Sequence, residues 1–286
     1  MNRRTFLRRV ATAAGAGLTA SSLEAEPLRP AADDVGVLVD TTRCVGCRAC
    51  EEACATANGL PVPDIADETV FETERRRSPS QFSVINRYQT RAGEFFVKKQ
   101  CMHCLQPACV SACLTKAMHK TKEGPVVWDS SKCMGCRFCM VSCPFDAPKF
   151  EYDRAVPRIR KCTMCFTRLE QGKVPACVEN CPAEALTFGP RSDLLADARA
   201  RIAASPTTYL QHIYGEHEVG GTSFLYLVGA PPRELGLSTD LGGKPYPELT
   251  APFLYSVPAV LLLGPAFLLA VRRTVVQAGE SGEGED

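Results

Sequence analysis

The residues in this sequence whose type and spacing could do chemistry are sixteen cysteines, set among only four histidines and one tryptophan in 286 residues. They fall into four runs of four with none left over: Cys44, Cys47, Cys50, Cys54; Cys101, Cys104, Cys109, Cys113; Cys133, Cys136, Cys139, Cys143; and Cys162, Cys165, Cys177, Cys181. The first and third runs are C-x2-C-x2-C-x3-C. In that spacing three close thiolates grip three corners of an iron–sulfur cubane, and the fourth cysteine reaches a different cluster. The second run opens its middle gap to four residues and the fourth opens it to eleven, yet both keep the C-x2-C start and the C-x3-C end. Sixteen thiolates so arranged imply four 4Fe-4S clusters and one-electron chemistry. Disulfides are the first competing use, but C-x2-C pairs are poor disulfide partners. Zinc is the second, but it draws four ligands from two separated pairs. A zinc-stabilised envelope scaffold remains the alternative from outside redox chemistry.

Two internal repeats make the runs variants of one unit. Asp40-Thr41-Thr42-Arg43-Cys44-Val45-Gly46-Cys47-Arg48 returns in kind as Asp129-Ser130-Ser131-Lys132-Cys133-Met134-Gly135-Cys136-Arg137, and Pro107-Ala108-Cys109-Val110 returns as Pro175-Ala176-Cys177-Val178. Gly46 and Gly135 are expected to let the backbone approach a cluster, and Pro144 and Pro182 to turn the chain after the last ligand. His103, between Cys101 and Cys104, reads as a loop residue that hydrogen-bonds near a cluster, since the cysteine count is already complete. His119, His212 and His217 are isolated, and Arg75-Arg76-Arg77 reads as a solvated face. No Gly-rich phosphate loop and no Ser/His/Asp set is present, so no catalytic residue is assigned. The net charge of +1, from 33 basic and 32 acidic residues, gives no reason to expect nucleic acid.

Short strands are expected at Val35 to Val39, Glu94 to Val97, Pro125 to Trp128 and Ala185 to Phe188. Short helices are expected near Arg48 to Ala57, Pro107 to Cys113, Arg137 to Cys143 and Met164 to Glu170, with an amphipathic helix at Leu194 to Ala204 closing the domain. The fold class is α+β: two tandem or nested bacterial ferredoxin-like units over 34–205, whose thiolate–iron bonds replace part of a conventional core. The Gly-, Pro- and aromatic-rich stretch 206–248 is expected to extend over partner subunits.

Both ends read as addresses. Arg3-Arg4 precede a short Ala- and Gly-rich apolar stretch, which makes 1–25 a twin-arginine signal peptide. Leu249 to Val271 is 23 residues without a charge, followed by Arg272-Arg273. That length crosses the hydrocarbon core, and the arginines belong on the cytoplasmic side. Residues 249–271 are therefore a transmembrane helix, kinked at Pro258 and Pro265, and 272–286 an acidic cytoplasmic tail. The bulk of the chain then lies on the periplasmic face of a bacterial inner membrane.

With these features in place, the sequence resembles the four-cluster ferredoxin-like subunits of membrane-bound oxidoreductases. The likeness is greatest to the iron–sulfur subunits of hydrogenase-2-type periplasmic nickel–iron hydrogenases, on Lys98-Lys99-Gln100-Cys101-Met102-His103-Cys104, on Cys136-Arg137-Phe138-Cys139-Met140-Val141, and on Tyr214-Gly215-Glu216 with Gly220-Gly221-Thr222. The β subunits of formate dehydrogenases are similar over the same clusters. The resemblance implies that Cys44, Cys47, Cys50 and Cys181 hold one cluster, and Cys162, Cys165, Cys177 and Cys54 a second. It assigns Cys101, Cys104, Cys109 and Cys143 to a third, and Cys133, Cys136, Cys139 and Cys113 to the last. Leu114 departs from the pattern, standing where the family commonly has proline. The implied partners are catalytic hydrogenase subunits, or alternatively the large subunit of a molybdenum or tungsten enzyme, together with an integral membrane quinone-reducing subunit. The implied role is electron transfer without catalysis by this chain alone.

Overall fold

The computed structural model describes residues 34–282; the signal expected over 1–25 and the last acidic residues of the tail lie outside the described residues. Along the chain, β1 (Val35–Asp40) leads to α1 (Ala49–Ala57), the hairpin β2 (Val84–Thr90) and β3 (Gly93–Lys99), and α2 (Ala108–Ser111). The hairpin β4 (Met118–Lys120) and β5 (Val126–Trp128), α3 (Phe138–Val141), and the pair β6 (Lys149–Phe150) and β7 (Ile159–Arg160) follow. The chain continues through α4 (Phe166–Leu169), α5 (Ala176–Glu179), β8 (Leu186–Pro190), α6 (Arg191–Ala204), β9 (Ile213–Tyr214) and β10 (Phe224–Leu227), and ends in the long α7 (Tyr246–Gly282).

The spine is a four-stranded sheet in the order β8-β1-β10-β9, with β1 antiparallel to β8 and parallel to β10. The valine-rich sequence of β1 suits a strand buried on both faces. Because successive side chains alternate across a strand, Val37 and Val39 share one face with Phe224 and Tyr226 and pack toward Cys50, Cys177 and Met164. Leu38 shares the other face with Leu225 and Leu227 and packs on Leu194, Leu195, Ala198 and Ile202 of α6. Each such buried aliphatic side chain contributes roughly 1.5–3 kcal/mol. The sheet is thus an apolar wall, with α6 behind it and the cysteine runs in front.

Two expectations are corrected. Residues 206–248 do not extend away from the domain over 209–237: they supply β9 and β10, and Tyr214, Phe224, Leu225, Tyr226, Leu227 and Leu235 are fully buried. The domain therefore does not close at 205. The arginine triplet is not a solvated face either. Arg75 ion-pairs with the buried carboxylate of Glu51 and donates to the Ile85 carbonyl at 2.6 Å, while Arg77 donates to the Gln100 carbonyl at 2.6 Å and to that of Phe145. Only Arg76 of the three is exposed. A guanidinium carries five donors in a fixed fork, and these two aim several of them at backbone carbonyls.

Glu51 is the anchor of the long insertion. Its side chain is inaccessible and accepts from Arg48, from Arg75, from Gln81 at 3.1 Å, and from the Ile85 N–H. Glu51→Ala strands two guanidinium groups in the interior and should destabilise the folded, metal-loaded domain by about 3–5 kcal/mol, measured by chemical denaturation. A loss below about 1 kcal/mol would contradict the anchoring role.

Candidate metal centres

The same short structures recur around the cysteines. Ahead of the first and third runs an aspartate turns the chain: Asp40 Oδ1 accepts from the N–H and hydroxyl of Thr42 at 3.0 and 2.7 Å, and Asp129 Oδ1 accepts from those of Ser131 at 2.9 and 2.7 Å. Such side-chain-to-backbone turns are what Asp followed by Thr or Ser favours. Within those runs Gly46 and Gly135 both take φ +73°, and Arg48 and Arg137 both take φ +60°. The left-handed arginine starts a helix at the next residue, which sets Cys50 on α1 and Cys139 on α3. At Gly46 a side chain is excluded twice, by the positive φ and because a Cβ would lie 2.5 Å from the Phe96 ring.

The second, third and fourth runs end alike. Three residues past Cys113, Cys143 and Cys181, at Lys116, Asp146 and Glu184, the chain is left-handed, with φ of +56°, +50° and +48°, and the N–H there returns to the cysteine carbonyl at 3.1–3.2 Å. The turn after Leu114 is therefore the one found after Pro144 and Pro182. Antiparallel strand pairs then bring distant runs together. β1 enters the first run and β8 leaves the fourth, with Val39 opposite Leu186; β4 leaves the second run and β5 enters the third, with Met118 opposite Trp128.

The result is visible as two cavities. Cys44, Cys47, Cys50 and Cys181 line one, walled by Val39, Ile85 and Leu186. Cys113, Cys133, Cys136 and Cys139 line the other, walled by Met118, Trp128 and Ile159. In each, three thiols come from one run and the fourth from another. The remaining cysteines also lie near one another: Cys162, Cys177 and Cys165 act electrostatically on Cys54, and Cys143, Cys101 and Cys109 on Cys104. None of the sixteen is in a disulfide. Among the described residues no three His, Cys, Asp or Glu side chains converge closely enough for a single metal ion. Sulfurs spaced around a volume fit a multi-iron cubane and do not fit a tetrahedral zinc site.

Burial governs the thiols. It pushes Cys44, Cys139 and Cys162 up to about 11 and Cys54 to about 12, with the neighbouring sulfurs adding to the effect. Cys113 is held below the usual thiol range: its partial burial works the other way, but the Met118 N–H at 3.3 Å and the Thr115 hydroxyl outweigh it. His103 is fully buried, and its Nδ1 accepts the Val126 N–H at 2.9 Å. Burial and then Lys161 hold its pKa well down, so the ring is neutral with its proton on Nε2. Nothing in the residue pattern singles out the two buried lysines. Lys161 donates to the carbonyls of Val126 and Cys162, and Lys98 lies among the thiols of Cys177, Cys50, Cys162 and Cys54. Burial opposes the charge of Lys98, but those four sulfurs raise its pKa above the ordinary lysine range.

A ferredoxin-like frame that brings cysteines of separate runs to shared cavities defines an iron–sulfur protein. A family profile described as a 4Fe-4S dicluster domain matches residues 93–191. A protein of Nitratidesulfovibrio vulgaris is 46% identical over 99% of this chain and 80% of its own length. The hydrogenase-2 operon protein HybA of Escherichia coli O157:H7 is 37% identical over 83% of this chain and 84% of its own length. The iron–sulfur subunit of the nitrate-inducible formate dehydrogenase of Escherichia coli K12 is 33% identical over 68% of each chain. The chain belongs to the HybA-type family of iron–sulfur electron-transfer subunits of oxidoreductase complexes, and is not catalytic alone.

His103→Leu removes the acceptor of a buried backbone N–H and should cost roughly 1–3 kcal/mol without loss of iron, checked by denaturation and iron analysis side by side. Iron loss from an otherwise folded variant would make His103 a ligand and break the assignment.

Proposed function

We propose that the sixteen cysteines hold four 4Fe-4S clusters in the quartets implied by the resemblance, and that the chain conducts electrons from a periplasmic nickel–iron hydrogenase to a membrane quinone-reducing subunit. The observation that carries this is the linear order of the quartets. Cys50 of the first lies within electrostatic reach of Cys177 of the second, Cys162 of the second within reach of Cys101 of the third, and Cys109 of the third within reach of Cys139 of the last. The clusters would supply one-electron carriers; the protein supplies ligands, spacing and exclusion of water. The two exposed cysteines, Cys47 and Cys136, belong to the first and last quartets, whereas those of the middle two are buried or half-buried. Exposed Leu114, Met134, Phe138 and Val141 surround the last quartet, an apolar rim suited to a partner subunit.

The membrane end follows from α7. It runs beyond the expected 249–271 in both directions and continues through Pro258 and Pro265 without a break in its assignment. Its apolar stretch Ser256–Arg273 is uncovered by the rest of the chain. At its foot Glu248 accepts from Gln106 at 3.0 Å, beside α2 and the run that ends at Cys113. The reading therefore sets the second cysteine run, which serves the third and last quartets, toward the membrane, with export by the twin-arginine route placing the domain in the periplasm. The ferredoxin-like repeat is read as two nested units, the first and fourth runs enclosing the second and third.

Cys181→Ser should remove the cluster of the first run, leaving about twelve of about sixteen irons per chain at four per cluster; iron loss confined to another quartet, resolved by electron paramagnetic resonance, would refute the pairing. In the purified complex, hydrogen-driven dye reduction with nickel present is expected. Formate-driven reduction with molybdenum or tungsten would transfer the same row of clusters to a formate dehydrogenase. Truncation at residue 245 should release the domain from carbonate-washed membranes, and Arg3→Lys with Arg4→Lys should retain it in the cytoplasm; membrane retention or normal export, respectively, would contradict the topology.

A further inference from the structure

Lys98 is 2% exposed. Its ammonium donates to Gln100 Oε1 at 3.2 Å; Gln100 Nε2 donates to the Tyr226 hydroxyl at 2.7 Å, and that hydroxyl donates to the Lys98 carbonyl at 2.8 Å. This closed ring of three hydrogen bonds, backed by the core strand β10, fixes where the charge sits. Lys98 lines the cavity of Cys44, Cys47, Cys50 and Cys181, and its ammonium is also within electrostatic reach of Cys177, Cys162 and Cys54 of the adjoining quartet. Lys161, the second buried lysine, is satisfied differently, by two backbone carbonyls.

Burying an ammonium costs several kcal/mol unless negative charge compensates it. The amide oxygen of Gln100 is neutral, so the compensation must come from the sulfur side. A 4Fe-4S core with four thiolates is an anion whose charge grows by one on reduction. A fixed cation between two such groups favours the reduced form of each, for the reason that an opposite charge always favours the charged state of its neighbour.

We propose that Lys98 is a potential-setting residue for the first two clusters, its fixed charge making both easier to reduce while leaving the two clusters of the third and last quartets largely untouched. The proposal rests on the ligand assignment above. The step is a one-electron reduction supplied by the preceding carrier in the complex, with no bond made or broken at Lys98. The ring through Gln100 and Tyr226 is the positioning device, and it ties the electrostatics of the first cluster pair to the strand that the aromatic-rich segment contributes.

The test is a redox titration of the intact complex, followed by electron paramagnetic resonance, for wild type, Lys98→Met and Lys98→Arg. In Lys98→Met two of the four clusters should become harder to reduce by about tenfold or more in the one-electron equilibrium, a fall of about 59 mV per tenfold, with the other two unmoved. Lys98→Arg, which keeps the charge, should stay near wild type. Unchanged potentials in an iron-replete Lys98→Met protein, or an equal shift of all four clusters, would overturn the proposal. Iron lost from Lys98→Met but retained by Lys98→Arg supports the charge role, whereas iron lost from both makes Lys98 a packing residue and overturns it. A wild-type complex without 4Fe-4S signals would instead refute the ligand assignment itself.

Discussion

Everything in this molecule depends on bringing the last cysteine of one run against the first three of another that is far away in sequence. A compact run of cysteines can offer three sulfurs to a cubane from one loop and helix turn, but the chain has passed the site before the fourth arrives. The fold solves this with antiparallel pairing. The strand entering the first run is bonded to the strand leaving the fourth, with Val39 opposite Leu186, and the strand leaving the second run is bonded to the strand entering the third, with Met118 opposite Trp128. Local turns then fix the last few ångströms: the Asp40 and Asp129 turns on entry, the left-handed Lys116, Asp146 and Glu184 on exit. Strand register thus decides which sulfurs share a cavity.

The apolar wall and the polar anchors serve the same end. Val37, Val39, Phe224 and Tyr226 present a dry face to the cysteines, which keeps water from the thiols and accounts for their raised pKa values. The insertion between the first two runs is pinned by Glu51 and Arg75 rather than by a large core of its own. Buried ion pairs are weak sources of stability compared with well-packed apolar groups, but they penalise alternative arrangements heavily. That suits a region whose task is to hold Phe96 against Gly46 and Lys98 among the thiols of Cys50, Cys54, Cys162 and Cys177.

Much of the cysteine framework was legible because thiolate spacing is a short-range, sequence-local property. The repeated Asp-Thr-Thr and Asp-Ser-Ser turns, the left-handed glycines and the helices carrying Cys50 and Cys139 all follow from a few adjacent residues. What the sequence hid is long-range. Phe224-Leu225-Tyr226-Leu227 is too short and too uniformly apolar to show alternation, so a strand parallel to β1 was read as extended chain. Arg75 and Arg77 look like surface charges until Glu51 and the carbonyls of Ile85 and Gln100 are placed beside them. Lys98 sits next to buried Val97 in a strand whose pattern gives no sign that a lysine should point inward. At Leu114 the absence of proline was informative about sequence and not about structure, because the hydrogen bond from Lys116 to the Cys113 carbonyl closes the turn without it.

The central claim is that four sulfur quartets hold four cubanes in one row. Iron and acid-labile sulfide per chain, determined on the complex purified without air, test it most directly. The account predicts about sixteen of each, at four iron and four sulfide per cluster. About eight of each, or zinc with no labile sulfide, would contradict it.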